Sequence, residues 1–271
     1  MGIASDIAGD WEAAFAALAW QLEAGVDEVL AEAPVNRYDL PEAQPAPRPA
    51  AQAPAARPKA APVAAPDPVP GLDPVAVATA AAAAARTLQD LREAVSAFDL
   101  CEVKKGARNT VFSDGHPSAR VLILGEAPGR DEDIEGRPFV GRAGQLLDRM
   151  FGAIGLSRQS PDTETALYIT NVMYWRPPGN RDPEPAEIAM MKPFVQRHIE
   201  LVDPQVIVVM GNTPLDCLTG HRGILRARGT WTTAFGRPVL PMTHPAYLLR
   251  NPAAKREAWA DLLSIQERLR A

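Results

Sequence analysis

Apolar residues recur along this chain in three rhythms. Trp11, Phe15, Leu18, Leu22, Val26 and Val29 are spaced three and four apart, which predicts an amphipathic helix from about residue 5 to 32. Leu88, Leu91, Val95 and Phe98 repeat that spacing inside an alanine-rich stretch and predict a helix from Pro74 to Phe98. From Ala119 the pattern changes to short β-like runs alternating with helical ones. Strands are expected at 121–125, 167–171, 205–210 and 237–242, and helices at 141–154, 184–202, 212–219 and 252–270. Strands that alternate with helices pair in parallel through right-handed crossovers, with helices on both faces. The expected fold is therefore a three-layer αβα domain around a central four-stranded parallel sheet. The run VIVVM, 206–210, has the composition of an inner strand buried on both sides.

Between the first helix and this domain, Pro34 to Pro74 holds twelve prolines among alanines. Such a segment forms neither helix nor sheet and reads as a semi-stiff disordered tether. The chain thus divides into an acidic helix (1–33), a Pro/Ala linker (34–74) and a main domain (75–271).

Charge changes this picture more than bulk composition does. The whole chain carries a net −5, but residues 1–74 hold eleven Asp/Glu against four Lys/Arg, so the main domain is left slightly basic at +2. Arg130, Arg137, Arg142, Arg176, Arg181, Arg226, Arg228 and Arg250 lie in or near its expected loops, where they would neutralise phosphates. No run has the length of a membrane span, and the N-terminus lacks the order of a signal peptide, so a cytoplasmic protein is expected. Cys101 and Cys217 stand in unrelated contexts and read as reduced thiols.

Three polar loops follow apolar runs. VLILG leads into GEAPGRDEDIEGRPFVGRAGQLL, YITN ends at Asn171, and a strand ends in MTHPAYLLRNP from Met242 to Pro252. Open α/β sheets build ligand sites at the carboxyl ends of their strands. On chemistry alone each candidate has a plainer reading: Asn171 as a strand-end cap, Phe139 as core, and Asn251–Pro252 as a helix start beneath Tyr247, Leu248 and Leu249. Of the four histidines only His244 falls in one of these loops, while His116, His198 and His221 read as surface or capping residues.

From Phe98 to the C-terminus the chain resembles the type 4 uracil-DNA glycosylases. The resemblance rests on GEAPG, EDxxGxPFVGxAGxLL, YITN, RPPxNR and HPAYLLRNP in that order. It implies hydrolytic removal of uracil from DNA, which requires extracting the base, holding its edge and stabilising charge on it as it departs. Phe139 is then the stacking aromatic, and Ala127 lines the uracil pocket. Asn171 donates to uracil O4 and accepts from N3–H, a pattern that cytosine inverts. His244 donates to O2 as negative charge develops. Ala127 occupies the place where the best-known uracil-DNA glycosylases carry a water-positioning carboxylate. Glu126, Glu132 and Asp133 are the nearby carboxylates, Glu132 to hold water or crowd the C5 side and Glu126 to brace the loop. Leu248 and Leu249 form an apolar wedge for the DNA stack, with Arg142, Arg176 and Arg250 on the backbone.

The resemblance also implies an iron–sulfur cluster on four cysteines, but here those positions read Phe98, Cys101, Trp175 and Met190 or Met191. With Cys101 alone retained, no cofactor is expected, and the large apolar replacements are expected to fill the vacated space. The expected partner is uracil-containing DNA, bound by a monomer, with the acidic helix contacting either a protein or the chain's own DNA cleft. Two other readings stand beside this one. One is a catalytically inactive DNA-binding or scaffold protein on the same fold. The other is a nucleotide-binding enzyme using GEAPGR as a phosphate turn, though G-x-G-x-x-G is missing.

Overall fold

The computed structural model describes Phe15 and residues 73–270. Apart from Phe15, the expected N-terminal helix lies outside the described residues, as does almost all of the proline-rich tether.

Asp73 opens the first helix, α1 (Pro74–Ala84), by accepting a hydrogen bond from the Val75 amide at 2.9 Å. One helix to Phe98 was expected, but the chain breaks at Ala85. Thr87 and Asp90 form a reciprocal capping box that starts α2 (Leu88–Ala97) afresh. The expected stripe survives this break, with Leu91, Val95 and Phe98 all buried.

The sheet is built from β1 (Asp114–Gly115), β2 (Val121–Gly125), β3 (Leu167–Asn171), β4 (Val206–Met210), β5 (Thr232–Ala234) and β6 (Arg237–Met242), in the spatial order β1-β3-β2-β4-β6-β5. The four expected strands are parallel and lie inside. Antiparallel β1 and β5 close the edges, so the sheet is mixed and six-stranded. Two and three residues are too few for a readable alternation, which is why both edges were missed.

The remaining helices are α3 (Arg130–Glu135), α4 (Arg142–Gly152), α5 (Pro185–Val202), α6 (Asn212–Thr219), α7 (Ile224–Ala227), α8 (Pro245–Arg250) and α9 (Lys255–Arg270). The helix expected over 252–270 is thus α9 preceded by a single 3-10 turn at Pro252–Ala254. Alternate strand residues feed two cores. Leu122, Leu124, Ile207 and Val209 join α1, α2, α5 and α6 on one face. Val121, Ile123, Val206 and Val208 meet Leu147 and Phe151 of α4 and Leu262 and Ile265 of α9 on the other. This is the expected three-layer arrangement. No described helix is long and apolar enough to cross a membrane.

His198 on α5 departs from its expected surface role. It is fully buried between Tyr168 and Tyr174, whose hydroxyls lie 2.8 Å from Nε2 and 3.1 Å from Nδ1, and it stacks on Phe112. Burial pushes its pKa from 6.5 down to about 3. Unfolding therefore takes up a proton between those values, and the stability contribution that is complete above pH 6.5 is lost as pH falls through 3. Denaturant midpoints should drop across that window, and more steeply than in His198→Gln; parallel profiles would contradict this.

Strand order also places the site. From β2 the chain crosses to β3 on one side, whereas from β4 it passes to β6 on the other, yet β2 and β4 are neighbours. Connections that diverge in this way leave a crevice at the carboxyl ends of the two strands.

Candidate active site

A cavity of about 820 Å³ opens at that crevice. The three expected loops reach it through Glu126, Ala127, Phe139, Asn171 and His244. A fourth was not foreseen: Gly211, Asn212 and Thr213, directly after β4. The rule that found the other three, a polar turn at the end of an apolar parallel strand, applies equally to VIVVMGNT.

Gly125 explains how Asn171 and Phe139 come together. The two strands register Gly125 opposite Asn171, and a Cβ on Gly125 would lie 2.2 Å from Asn171 Oδ1 and 2.6 Å from the Phe139 ring. Only hydrogen fits there. Gly125→Ala should leave the cooperative melt in place while displacing both side chains, and binding of uracil, the base that the resemblance implies, should fall at least tenfold. Undiminished binding by calorimetry would show that the two groups do not need this contact.

Asn171 is 2% exposed, and its Oδ1 has no hydrogen-bond partner among the described residues. The same holds for Thr243 Oγ1, also on the cavity wall. A buried acceptor left unpaired costs about 1–3 kcal/mol. At a cavity wall such an acceptor is open to a donor from a ligand or from water.

His244 caps α8. Its Nδ1 accepts from the Ala246 amide at 3.1 Å, which fixes the neutral tautomer with hydrogen on Nε2. The ring is partly accessible from the cavity and otherwise enclosed, and it lies against Phe139 with centroids 5.4 Å apart. Desolvation, reinforced by the Arg250 cation and opposed by Glu132, brings its pKa down to about 4. At neutral pH it is an uncharged donor.

The two carboxylates meet different partners. Glu132 is the brace: its oxygens accept from the amides of Gly129, Val140 and Gly141 at 3.1, 2.9 and 3.0 Å, tying the β2 loop to the Phe139 turn. Glu126 instead faces Thr213, whose hydroxyl donates to it at 2.7 Å, and burial raises its pKa against that bond. Asn212 Oδ1 accepts from the amides of Gly223 and Ile224, drawing Arg222 to Leu225 onto the rim.

Residues 112–263 match the family model described as the uracil DNA glycosylase superfamily. The chain belongs to that superfamily. It is 36% identical over 191 residues to a type-4 uracil-DNA glycosylase of Sulfurisphaera tokodaii, covering 67% of this chain and 84% of the relative. It is 38% identical over 180 residues to that of Saccharolobus solfataricus, covering 62% and 80%. A type-5 uracil-DNA glycosylase of Thermus thermophilus is 31% identical over 122 residues, 42% of this chain and 55% of the relative.

The iron–sulfur cluster implied by the type 4 resemblance needs four thiolates. The residues of this glycosylase-family chain do not fit it. The sequence has two cysteines, and Cys217, on α6, is not at any of the four positions in question. Among the described residues no group of three or more His, Cys, Asp or Glu stands together to hold a metal. Phe98, Cys101, Trp175 and Met191 are all buried in one core, with Met190 at its margin. The Trp175 indole donates to Thr110 Oγ1 at 3.0 Å beneath the Lys104 ammonium, and Phe98 packs edge-on against Phe194.

On the rim, Leu248 is corrected: it is 1% exposed and belongs to the core, so it is no wedge. Leu249 beside it is exposed. Arg142 and Arg250 are exposed as well, while the Arg176 Nε is held by Asn180 Oδ1 at 2.7 Å.

Proposed function

We propose that this protein hydrolyses the N-glycosidic bond of uracil in DNA, releasing free uracil and leaving an abasic site. The observation that carries the reading is the unpaired, buried Asn171 Oδ1 beside the Phe139 ring and the neutral His244 donor. Family membership and the type-4 relatives support it.

In this reading Phe139 stacks on the extruded base, a contact worth roughly 1–3 kcal/mol. Asn171 Oδ1 accepts from uracil N3–H and its amide donates to O4. Cytosine offers an acceptor at N3 and a donor at position 4, leaving both groups mispaired. As the bond to C1′ breaks, electrons pass to the uracil ring and His244 Nε2–H donates to O2. Water then adds its oxygen to C1′, and its proton balances the departing base. In this proposal Glu126 orients that water, and Thr213 donates to it. Glu132 acts by holding the loop. Leu249 fills the vacated stack, and Arg142, Arg176 and Arg250 serve the phosphates. The enzyme works as a cytoplasmic monomer without a resident cluster.

Free uracil provides the test. Calorimetry should show one site for uracil, none for cytosine, and loss of uracil binding in Asn171→Ala. Equal binding of both bases would defeat the recognition scheme.

The acidic helix of residues 1–33 and the tether of 34–74 form, in this proposal, an appendage dispensable for chemistry. Deleting residues 1–72 should leave uracil turnover unchanged or raise it at low salt, where an acidic segment competes best with DNA. A large loss of turnover would contradict that view.

A further inference from the structure

Arg158 lies between α4 and β3, outside every motif discussed so far, and its side chain is 7% exposed. Four of its five guanidinium N–H groups are engaged. Nε donates to Asp148 Oδ1 at 2.8 Å, Nη1 to Asp114 Oδ2 at 3.1 Å and to the Pro138 carbonyl at 2.8 Å, and Nη2 to the Phe139 carbonyl at 2.9 Å. Two carboxylates thus set the fork, and the fork grips the backbone of the two residues that aim the aromatic ring.

That backbone is under strain. Phe139 sits at φ 54°, in the left-handed region that a bulky side chain rarely adopts. Its carbonyl also rests on Gly144, where a Cβ would come within 1.7 Å of the oxygen. Glu132 fixes the next two amides, of Val140 and Gly141, and leaves the Pro138 and Phe139 carbonyls to Arg158.

We infer that Arg158 is a positioning residue for base recognition, holding Phe139 in its strained conformation so that the ring stands over the pocket before the base arrives. Pre-organisation of this kind raises affinity by removing the ordering cost from the binding step. A lysine cannot substitute, because one ammonium presents a point charge and not a planar fork. The inference rests on the proposed stacking role of Phe139.

A double-mutant cycle tests it on the full chain, with free uracil as the probe. Arg158→Lys keeps a cation between Asp114 and Asp148 and should remain folded, as far-UV circular dichroism will verify. Its uracil affinity should fall at least tenfold. In a Phe139→Ala background, where stacking is already gone, the same change should alter affinity less than twofold. Equal losses in both backgrounds, or no loss in either, overturn the inference. Amide exchange across Pro138–Gly141 in the ligand-free protein gives a second readout that is independent of uracil. Arg158→Lys should accelerate it, and unchanged exchange overturns the inference even if uracil proves not to be the ligand. Absence of uracil binding by the wild type would count against the proposed function alone.

Discussion

His244→Ala is expected to lower the rate of uracil release about 10²–10³-fold, the usual effect of removing one donor aimed at developing negative charge. The loss should fall on kcat more than on KM, because the bond to O2 strengthens as charge reaches the base. The pH profile gives a second signature. Since the imidazole pKa is pushed to about 4, the wild-type rate should show no histidine inflection between pH 6 and 7. Below pH 4 the added proton on Nδ1 would meet the Ala246 amide, which already donates there, and the ring would lose its alignment. An inflection near 6.5 that disappears in His244→Ala would mean that the charged form does the work.

Trp175→Ala should have the largest effect on stability, about 3–5 kcal/mol in urea or thermal unfolding. The side chain is 1% exposed, packs edge-on against Tyr174 and satisfies its N–H on Thr110. Its removal would open a cavity between the segment around Cys101 and the loop from Arg176 to Arg181. Where the family pattern cross-links these two segments through a cluster, this chain packs an indole. A cost below 1 kcal/mol would show that Trp175 is not the element joining them.

The sheet interior was legible because Val121–Gly125 and Val206–Met210 are short apolar runs and Leu167–Ile169 is apolar as well, the composition of strands covered on both faces. The short edges were not, for the lack of residues to alternate. Asn171 and His244 were legible by their place at strand ends and Phe139 only through the resemblance, and the structure brings all three to one cavity. The carboxylates were harder. Glu126 and Glu132 have the same chemistry in sequence, and only the path of the Phe139 turn decides which one meets three amides. Leu248 and Leu249 differ by one residue on a helix, a rotation of about 100° that sends one to the core and the other to solvent. Arg158 gave no signal at all, because its four acceptors are distant in sequence and two of them are backbone carbonyls. His198 was misread for a related reason: its partners Tyr168 and Tyr174 come from β3 and the loop after it.

The central claim is that this cavity excises uracil. Incubating the purified chain with an oligonucleotide carrying one uracil, beside the same strand carrying cytosine, and measuring both free base and alkali-labile strand breaks, tests it directly. The account predicts equal molar yields of free uracil and abasic sites from the first strand, nothing from the second, and loss of both products in Asn171→Ala. A uracil strand that stays intact under conditions in which an established uracil-DNA glycosylase cleaves it would contradict the account.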